Sequence, residues 1–568
     1  MNLLTVTNLS AGYAGKQVIK DISFFVAPKT IVGILGANGC GKTTLIKAIA
    51  NLLPHTGSCQ LDDTYLENAS PRQLALLCGY IPQKSGISID LTLLDVVLMG
   101  FNPKLSLLQS PTEQMKKEAF DALCSVGLGS RKDDNFQQLS EGQKQLCLLA
   151  RTFVLKRRLL LLDEPTSQLD PIAAGEFFNT LKRINSELGT TVIITEHRLE
   201  NLFPMVDRVV FMRSGSIVSN CSPADAAEKL RGDDEFFSVL PSSVRIFAKT
   251  RQNGQNLRGA PLEVRSARDY LLNNFSLDSC RYKASENRIS ASAKAESSKN
   301  SKNTETVISV REAWFRYEKD SKDILCGMNF DVHAGELTCI VGGNGAGKTT
   351  ALMTAAGVFA PYRGKVKYRG KPISTFRKDK GSAGKIGVLV QNPLCCFVMD
   401  SVAEELEAAA KAYKLPRSGI EEVIDIMQLQ SVLNSNPYDI SGGELQRAAI
   451  AKLLLSKPEV IFLDEATKGM DAFFKAEFGA LLRRLAARGT AIVLVSHDIE
   501  FCAEFADRCA MFFNGTVIAE GTPHDVFLGN SFYTTSACRI SRGIIPDALT
   551  SEQIIDYANR CERKKNDD

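Results

Sequence analysis

Short runs of apolar, often β-branched residues alternate with segments of helical periodicity in two long stretches of the chain. Strands that are apolar on both faces and separated by helices are typical of a parallel sheet covered on both sides. The pattern therefore predicts an α/β fold in both stretches. The strand-like runs are Thr30–Leu35, Leu159–Asp163, Val192–Thr195, Leu337–Val341, Val460–Asp464 and Ile492–Ser496.

The chain also contains an internal duplication. The glycine-rich segment Gly36–Thr43 recurs as Gly342–Thr349. The marks Leu139–Gln143, Leu162–Glu164 and His197 each recur in the same order about 300 residues later. Four marks at a nearly constant separation predict a tandem of two homologous domains rather than a short-period solenoid.

The composition changes between the two copies. Pro261–Leu272 has the apolar spacing of a helix and predicts a small appended helix, for which a surface helix packed on the first domain is the simpler interpretation. Asn287–Thr306 is rich in Ser, Lys and Asn, and it predicts a flexible linker. The expected organisation is a first domain at 1–240, the appended helix and linker at 241–305, a second domain at 306–545 and a polar tail at 546–568.

The overall composition excludes several classes of protein. Of 568 residues, 44% are hydrophobic and 23% are charged, the balance of a globular rather than a disordered or fibrous chain. A net charge of +4, from 68 basic and 64 acidic residues, gives no electrostatic argument for nucleic-acid binding. No apolar run approaches the roughly 18 residues that span a bilayer, and no signal peptide is expected. The fifteen cysteines form no CxxC pair, so reduced thiols are expected rather than disulfides or a zinc site.

The two glycine-rich segments predict phosphate-binding loops. Each has the form GxxxxGKT and lies between a strand and a helix, where backbone N–H groups and the positive helix end attract phosphate. Lys42 and Lys348 can reach the β- and γ-phosphates, and Thr43 and Thr349 can offer a hydroxyl to Mg²⁺. A dinucleotide-binding turn, the alternative for such glycines, has no need of the Lys–Thr pair.

Acidic residues and histidines at the strand ends add further candidate chemistry. An Asp that closes an apolar strand lies beside the phosphate loop and can hold Mg²⁺, and the Glu that follows it can polarise an attacking water. A His after the next strand can contact the γ-phosphate. Structural roles are the alternative, although two of only five histidines fall at matching positions. These residues are Asp163, Glu164 and His197 in the first copy and Asp464, Glu465 and His497 in the second.

The order of these motifs in both copies resembles the ATP-binding domain of ABC proteins. Between the phosphate loop and the Asp–Glu pair lie Gln83 and Leu139–Gln143 in the first copy, and Gln391 and Ile440–Glu444 in the second. The Ser-containing signature is the family-specific part, and the resemblance covers essentially all of both domains. It implies two tandem P-loop ABC ATPase domains, each with a mainly parallel sheet core, an antiparallel β subdomain and a helical signature subdomain.

The resemblance implies two sites for ATP and Mg²⁺, each between one domain's phosphate loop and the other domain's signature. Lys42 would share a site with Ser441, and Lys348 with Ser140. Catalysis would rest on Glu164, His197, Glu465 and His497. The implied metal ligands are Thr43, Gln83, Asp163, Thr349, Gln391 and Asp464. The implied ATP-binding residues are Tyr13, Gly36, Ala37, Asn38, Gly39, Cys40, Gly41, Lys42, Thr43, Thr44, Ser140, Glu141, Gly142, Gln143, Tyr317, Gly342, Gly343, Asn344, Gly345, Ala346, Gly347, Lys348, Thr349, Thr350, Ser441, Gly442, Gly443 and Glu444.

Some positions depart from the family pattern or stay open. The first signature carries Glu141 where the family usually has Gly, which places a negative side chain near a triphosphate and predicts a slower site. No catalytic Glu or His is missing, so two competent sites are expected, which need not be equal. Tyr13 and Tyr317 match the position that stacks on adenine, with ordinary core tyrosines as the alternative. Cys40 is expected to stand in for a small residue, and Cys395–Cys396 is expected to be a buried thiol pair rather than a redox sensor.

The resemblance also indicates a role in transport. In this family the segment after the glutamine contacts a membrane subunit, and Gln391–Leu406 is similar to that of energy-coupling-factor importers. Glu196–Glu200 and the appended helix are similar to fused ATPases of that group, whereas Tyr80–Gln83 and Leu91–Gly100 look more like iron-chelate and cobalamin importers. The implied function is the ATPase of an importer for a vitamin or metal ion, peripheral on the cytoplasmic side of the cell membrane. The implied partners are a coupling transmembrane protein and a substrate-binding membrane subunit, with no nucleic acid.

Two other kinds of ABC protein lack membrane partners. Ribosome-associated tandem proteins join their domains by a basic helical hairpin, whereas the connecting segment here is Ser-rich and only mildly basic. DNA-repair ATPases insert zinc modules or long coiled coils within their domains, and this chain has neither a CxxC pair nor room for such an insertion. A non-catalytic binding module is opposed by the Glu and His present in both copies.

Overall fold

Two compact units make up the chain: Met1–Ala267 with Asp471–Phe473, and Arg268–Met470 with Phe474–Asp568. The computed structural model describes residues 2–13, 16–83, 89–106, 109–251, 255–276, 305–379, 382, 384–530 and 533–561. The expected linker Asn287–Thr306 therefore lies outside the described residues except for its last two positions. Within the described ranges, no helix is both long and apolar enough to cross a bilayer.

The first unit contains two sheets. The four-stranded antiparallel sheet has the order β2-β1-β4-β5, and the six-stranded sheet has the order β10-β9-β3-β8-β7-β6, parallel except for the β9–β10 pair. The predicted mainly parallel core and antiparallel subdomain are confirmed. The strands are β1 (Leu4–Tyr13), β2 (Lys16–Val26), β3 (Ile31–Leu35), β4 (His55–Leu61), β5 (Thr64–Tyr65), β6 (Cys78–Ile81), β7 (Leu159–Asp163), β8 (Thr191–Thr195), β9 (Arg208–Arg213) and β10 (Ser216–Cys221).

Burial explains why the apolar runs form the centre of this sheet. All five residues of β3, of β7 and of β8 are buried, as expected for strands covered on both faces. The core that joins the two sheets includes Leu45, Ile46 and Ile49, which belong to the helix after the phosphate loop. Because both sheets pack against that helix, the loop before it has a fixed position.

The helices of the first unit surround these sheets. Ser140 caps the helix that carries the first signature, where its side chain accepts from the backbone N–H of Gln143 at 3.3 Å. The helices are α1 (Lys42–Ile49), α2 (Pro71–Leu77), α3 (Leu93–Leu98), α4 (Glu113–Ser125), α5 (Glu141–Phe153), α6 (Pro171–Leu188), α7 (Leu199–Leu202), α8 (Ala226–Lys229), α9 (Asp234–Ser238), α10 (Ser242–Thr250) and α11 (Val264–Asn274), which crosses the boundary between the two units at Ala267. The helix expected over Pro261–Leu272 corresponds to α11, which begins three residues later, at Val264. Pro261 and the two residues after it lie before the first helical turn.

The second unit repeats the arrangement. Its sheets have the orders β12-β11-β14-β15 and β16-β17-β18-β13-β19-β20, the latter parallel except for the β19–β20 pair. Its strands are β11 (Thr306–Phe315), β12 (Leu325–His333), β13 (Leu337–Gly342), β14 (Arg363–Tyr368), β15 (Lys371–Pro372), β16 (Ile386–Leu389), β17 (Val460–Asp464), β18 (Ala491–Val495), β19 (Arg508–Phe513) and β20 (Thr516–Gly521). Its helices are α12 (Lys348–Ala355), α13 (Ile373–Phe376), α14 (Val402–Ala412), α15 (Arg417–Ile426), α16 (Gly442–Leu454), α17 (Ala472–Ala487), α18 (Ile499–Phe505), α19 (Pro523–Phe527), α20 (Ser536–Ser541) and α21 (Ser551–Arg560).

The duplication extends further than the sequence motifs indicate. In the first copy, α10 and α11 follow the last strand, and in the second copy α20 and α21 follow it in the same order. Arg268–Asn274 of α11 already belong to the second unit. The stretch 546–568, predicted as a polar tail, contains α21, whose Ile554, Ile555 and Ala558 are buried. The expectation was wrong because α21 has a low mean hydropathy, and its apolar residues are confined to one face. Each copy of the duplicated fold is therefore followed by a helical extension.

The first extension is held by a carboxylate. Glu200 Oε1 accepts from the backbone N–H and the hydroxyl of Ser242, at 2.7 and 2.6 Å. Pro241 is the N-cap residue of α10 and has no side-chain acceptor, so Glu200 serves as the cap. In the second unit Glu500 accepts from the backbone N–H of Ser536 at 2.7 Å, and Thr535 caps the same helix.

We expect Glu200→Ala to loosen α10. The substitution leaves the buried Ser242 groups without this acceptor, which costs about 1–3 kcal/mol and speeds amide exchange in α10 roughly 5- to 150-fold. Hydrogen exchange followed by mass spectrometry measures this. Glu500→Ala is the matched control, and it should loosen α20 less because the Thr535 cap remains. Equal protection of α10 with and without Glu200 would contradict the capping role.

Candidate functional site

Both glycine-rich segments form the loops expected from the sequence. The first follows β3, and α1 begins directly after Gly41, whose φ of 104° lies in the left-handed region open to glycine. A Cβ at Gly41 would also lie 2.6 Å from Cγ2 of Ile19. The second loop follows β13 and ends at Gly347, with a φ of 96°. Each loop thus directs a helix N-terminus toward its centre, an arrangement that binds phosphate.

The two loop lysines fold over their own loops. Lys42 Nζ donates to the carbonyl oxygens of Gly36 and Ala37, at 2.8 and 3.2 Å. Lys348 Nζ donates in the same way to Gly342 and Gly343, at 3.0 and 2.8 Å. Both lysines are buried. Each ammonium group therefore lies where the loop would enclose a phosphate chain.

An Asp at the end of a buried strand joins each loop. Thr43 Oγ1 donates to Asp163 Oδ1 at 3.0 Å, and Thr349 Oγ1 donates to Asp464 Oδ1 at 3.2 Å. Burial raises the pKa of Asp163, and it raises that of Asp464 to about 6. Asp464 Oδ2 is buried and has no hydrogen-bond partner among the described residues. A hydroxyl beside a carboxylate with one oxygen unsatisfied is a donor set that fits Mg²⁺.

Glu164 lies at the centre of a polar group in the first unit. Its Oε1 is 2.7 Å from His197 Nε2, and its Oε2 accepts from Gln83 Nε2 at 2.8 Å. Burial alone would raise the pKa of Glu164, but His197 and Lys42 lower it to about 2. The carboxylate is therefore ionised at neutral pH and can accept a hydrogen bond from water.

Glu465 has a similar set of neighbours in the second unit, with one addition. Its Oε1 is 3.3 Å from His497 Nε2, and its Oε2 accepts from Gln391 Nε2 at 3.0 Å. Lys468 Nζ lies 3.1 Å from the same Oε2. Burial would raise the pKa of Glu465, but His497 and Lys468 lower it to about 2. The predicted catalytic residues thus come together within each unit.

Glu164 and Glu465 share an unusual backbone conformation. Their φ angles are 46° and 53°, in the left-handed region that non-glycine residues rarely adopt. The backbone N–H of Glu164 donates to the carbonyl of Thr195, and that of Glu465 donates to Val495, at 3.1 and 3.0 Å. These bonds to the neighbouring strand fix the turn that aims each carboxylate toward its histidine.

The two signatures begin helices in the same way. Ser441 caps α16, and Glu444 Oε2 accepts from its backbone N–H and hydroxyl, at 2.9 and 2.6 Å. In the first signature Gln143 takes the place of Glu444, with its Oε1 3.2 Å from the Ser140 N–H. Both signatures therefore form a capping box. Their pairing with the phosphate loop of the other domain stays a prediction.

The first signature's extra acid has a partner. Glu141 Oε1 forms an ion pair with Lys144 Nζ at 2.8 Å, one helical turn along α5. The pair offsets part of the negative charge that the sequence places near a triphosphate. The expected slowing of that site by Glu141 stays a prediction, and the charge that underlies it is smaller than the sequence alone suggests.

The tyrosines expected at the adenine lie at the surface. Tyr13 is 45% exposed and Tyr317 is 60% exposed, so neither is an ordinary core residue. The Tyr317 hydroxyl lies 3.1 Å from Thr350 Oγ1, in the helix after the second loop. An exposed ring beside the phosphate loop is available for stacking on a base.

The cysteines differ in part from expectation. Cys40 is buried inside the first loop, as a small apolar residue would be. Cys395 is exposed and Cys396 is half-buried, so the expectation of a buried pair was wrong. They lie on a short 3-10 turn, Pro393–Cys396, outside the regular elements. Thirteen of the described cysteines are free, but Cys561 is disulfide-bonded, which the spacing of cysteines along the chain does not reveal.

Three features of the site were missed by sequence reasoning. Thr195 Oγ1 donates to Asp163 at 2.9 Å. Glu196 accepts from the backbone and hydroxyl of Thr166, at 2.9 and 2.7 Å, and so joins the segment after Glu164 to the strand before His197. Lys468 contacts Glu465 as described above. The sequence did offer a hint of each contact. Thr195 and Glu196 directly precede His197, and Lys468 follows Glu465 at the position that Ser167 occupies in the first copy.

Comparisons with known proteins agree with the motifs. The family model described as ABC transporter matches residues 19–167 and 325–468. A Bacillus thuringiensis subsp. konkukian protein named as an ABC transporter ATP-binding protein is 37% identical over 557 residues, which is 97% of each chain. A Methanosarcina mazei protein with the same description is 30% identical and covers 92% of this chain and 90% of its own.

One solved structure resembles nearly the whole chain. It is the archaeal ribosome recycling factor aABCE1, determined with the ribosomal stalk protein aP1. The match has a TM-score of 0.55 and 18% sequence identity, and it covers 91% of this chain and 90% of that one. At this identity the likeness concerns the fold alone.

Proposed function

Since the chain belongs to the ABC transporter ATP-binding family, whose members hydrolyse ATP, we propose that this ATPase is the energy-coupling subunit of a membrane importer. Its membrane-spanning partners would be separate chains, a coupling transmembrane protein and a substrate-binding membrane subunit. The protein would then lie on the cytoplasmic side of the cell membrane as a peripheral subunit. The proposed cargo is a vitamin or a metal ion, as in energy-coupling-factor importers.

One observation carries the proposal of a membrane partner. After Gln391, the chain forms a loop on which Val398 is 86% exposed and Met399 is 45% exposed. Two adjacent apolar side chains in water are unfavourable unless another surface covers them. Gln391 at the start of this segment also contacts Glu465, so the loop is connected to the candidate catalytic group.

A partly buried ion pair holds this loop in shape. Glu405 accepts from the backbone N–H groups of Val398 and Met399, the latter at 2.6 Å, and Lys452 Nζ lies 2.6 Å from its Oε2. Glu405 is 2% exposed, so its charge must be matched by such partners. The apolar residues are therefore presented on a rigid support, which favours docking of a partner helix.

At each site, we infer that the chain's own residues position Mg-ATP. The loop lysine and the helix N-terminus neutralise phosphate charge, and Glu164 or Glu465 orients the attacking water. Mg²⁺ would be held by Thr43, Asp163 and Gln83, and by Thr349, Asp464 and Gln391. When bound, it would neutralise charge on the β- and γ-phosphates. His197 and His497 would stabilise the transferring phosphoryl group.

The exposed apolar residues Val398 and Met399 of the loop after Gln391 provide the test. In the full chain, Val398→Asp together with Met399→Asp should reduce co-purification with membrane-spanning subunits from detergent-solubilised membranes by about tenfold or more. Basal ATP hydrolysis should be unchanged, because neither residue contacts the candidate site. Ile518→Asp, at a residue that is 56% exposed on β20, is the matched control and should not affect co-purification.

The partners that are recovered distinguish the importer types. A small substrate-binding membrane protein beside a second transmembrane subunit would support the energy-coupling-factor type. A binding protein outside the membrane would instead support an importer of the iron-chelate or cobalamin type. The Tyr80–Gln83 segment of the first domain is similar to the ATPases of that type. Co-sedimentation with ribosomes at several salt concentrations, with no membrane partner, would contradict the importer proposal.

A further inference from the structure

The two candidate sites differ in the third residue after the catalytic glutamate. The backbone turn is the same, since the N–H of Ser167 donates to the Glu164 carbonyl at 3.2 Å and that of Lys468 to the Glu465 carbonyl at 3.0 Å. The side chains differ in what they contact. Ser167 Oγ is buried with no hydrogen-bond partner among the described residues, whereas Lys468 Nζ reaches Glu465 Oε2.

This contact changes the surroundings of the second glutamate. In the first site Gln83 is the side chain that donates to Glu164 Oε2, at 2.8 Å. In the second site Gln391 and Lys468 both donate to Glu465 Oε2. The Lys468 and Glu465 side chains are 24% and 13% exposed, so water screens their attraction less than at an open surface.

The histidine contact is longer in the same site. His197 Nε2 lies 2.7 Å from Glu164 Oε1, and His497 Nε2 lies 3.3 Å from Glu465 Oε1. In the second unit the glutamate is therefore held more by the lysine and less closely by the histidine. This asymmetry concerns the same site that Glu141 is expected to affect, since the family resemblance pairs the first signature with Lys348.

We propose that Lys468 is a positioning residue that retains Glu465 in an ion pair and slows ATP hydrolysis at the second site. A carboxylate must direct a lone pair at the attacking water to polarise it. An ammonium group that donates to the same carboxylate competes for its lone pairs and reduces its strength as an acceptor. The first site, with Ser167, lacks this competitor. The inference depends on Glu465 acting on the water, and it is independent of the importer proposal.

The test exchanges the two residues in the full-length chain. Lys468→Ser should raise kcat for ATP about three- to tenfold, because it releases Glu465 from a charge-assisted hydrogen bond. Ser167→Lys should lower kcat, since it places the same competitor beside Glu164. KM for ATP should stay within about twofold in both variants, because neither side chain is assigned to the bound nucleotide.

Two further variants keep the outcome decisive. Lys468→Arg retains a cation and should keep the low kcat of the parent chain. Lys468→Met retains the apolar stem, and it should show the same rise as Lys468→Ser even if serine weakens folding at this position. A fall or no change in kcat for both uncharged variants would overturn the proposal. A rise in KM would also overturn it, because Lys468 would then be a phosphate-binding residue.

Glu465→Gln shows whether Glu465 acts on the attacking water, which the role of Lys468 requires. If Glu465→Gln leaves turnover unchanged, the second site does not hydrolyse ATP and the premise is wrong. If Glu465→Gln lowers turnover while Lys468→Ser does not raise it, the glutamate acts on the water and Lys468 does not restrain it.

Discussion

Replacing Glu164 or Glu465 by glutamine is expected to lower ATP turnover at the altered site about 100- to 1,000-fold. Each carboxylate is ionised, lies within 3.3 Å of a histidine ring nitrogen and accepts from a glutamine amide. Glutamine keeps the size of the side chain but removes the negative charge that polarises water. Phosphate release at saturating Mg-ATP measures the change for each variant.

Controls separate this effect from general damage. Glu113→Gln alters a carboxylate that is 88% exposed and paired with Lys116, so turnover should be unchanged. Binding of Mg-ATP should persist in both catalytic variants, since phosphate affinity depends mainly on the loop. If one variant retains full turnover, that site is not hydrolytic, and the prediction of two competent sites is wrong.

Replacing Lys42 or Lys348 by alanine is expected to weaken ATP binding at the altered site about 10- to 100-fold. Each ammonium group is buried over its loop and bonded to two loop carbonyls, so it can turn to the phosphates with little loss of side-chain freedom. Alanine removes the one cation of the loop. Equilibrium dialysis with labelled ATP measures affinity and the number of sites.

A surface lysine provides the comparison. Lys116→Ala removes a charge of the same kind from an exposed ion pair on α4, and it should leave ATP affinity unchanged. Thermal unfolding of the Lys42 and Lys348 variants shows whether the loops still fold. Unchanged ATP affinity in both loop variants would contradict the assignment of these segments as phosphate-binding loops.

Much of the fold could be predicted because its signals are local. The buried runs Leu159–Asp163 and Val460–Asp464 have the predicted bounds as strands. The loops, the Asp–Glu pairs and the capping serines follow from short motifs with strict geometry. Each histidine lies beside its glutamate because it follows the neighbouring strand of a parallel sheet.

Other features depend on contacts between distant segments, which local patterns do not contain. The Glu200 cap on α10 joins residues 42 positions apart. The exposure of Cys395 depends on a turn that places it outside the core. The ion pair of Lys468 with Glu465 is local in sequence. That Lys468 shares Glu465 Oε2 with a second donor could not be predicted, because this donor, Gln391, lies 74 positions from Glu465. The role of α21 was hidden because an amphipathic helix with few apolar residues resembles a polar tail in composition.

The left-handed backbone at Glu164 and Glu465 implies a compromise between durability and catalysis. A residue selected for stability alone at either turn would be glycine or asparagine, which adopt this conformation at lower cost. Neither has a carboxylate. The turn at each glutamate therefore lowers the stability of its domain by on the order of 1 kcal/mol, which packing elsewhere in the domain must offset. Loss of function at these two positions would then be a route by which this ATPase gains heat resistance.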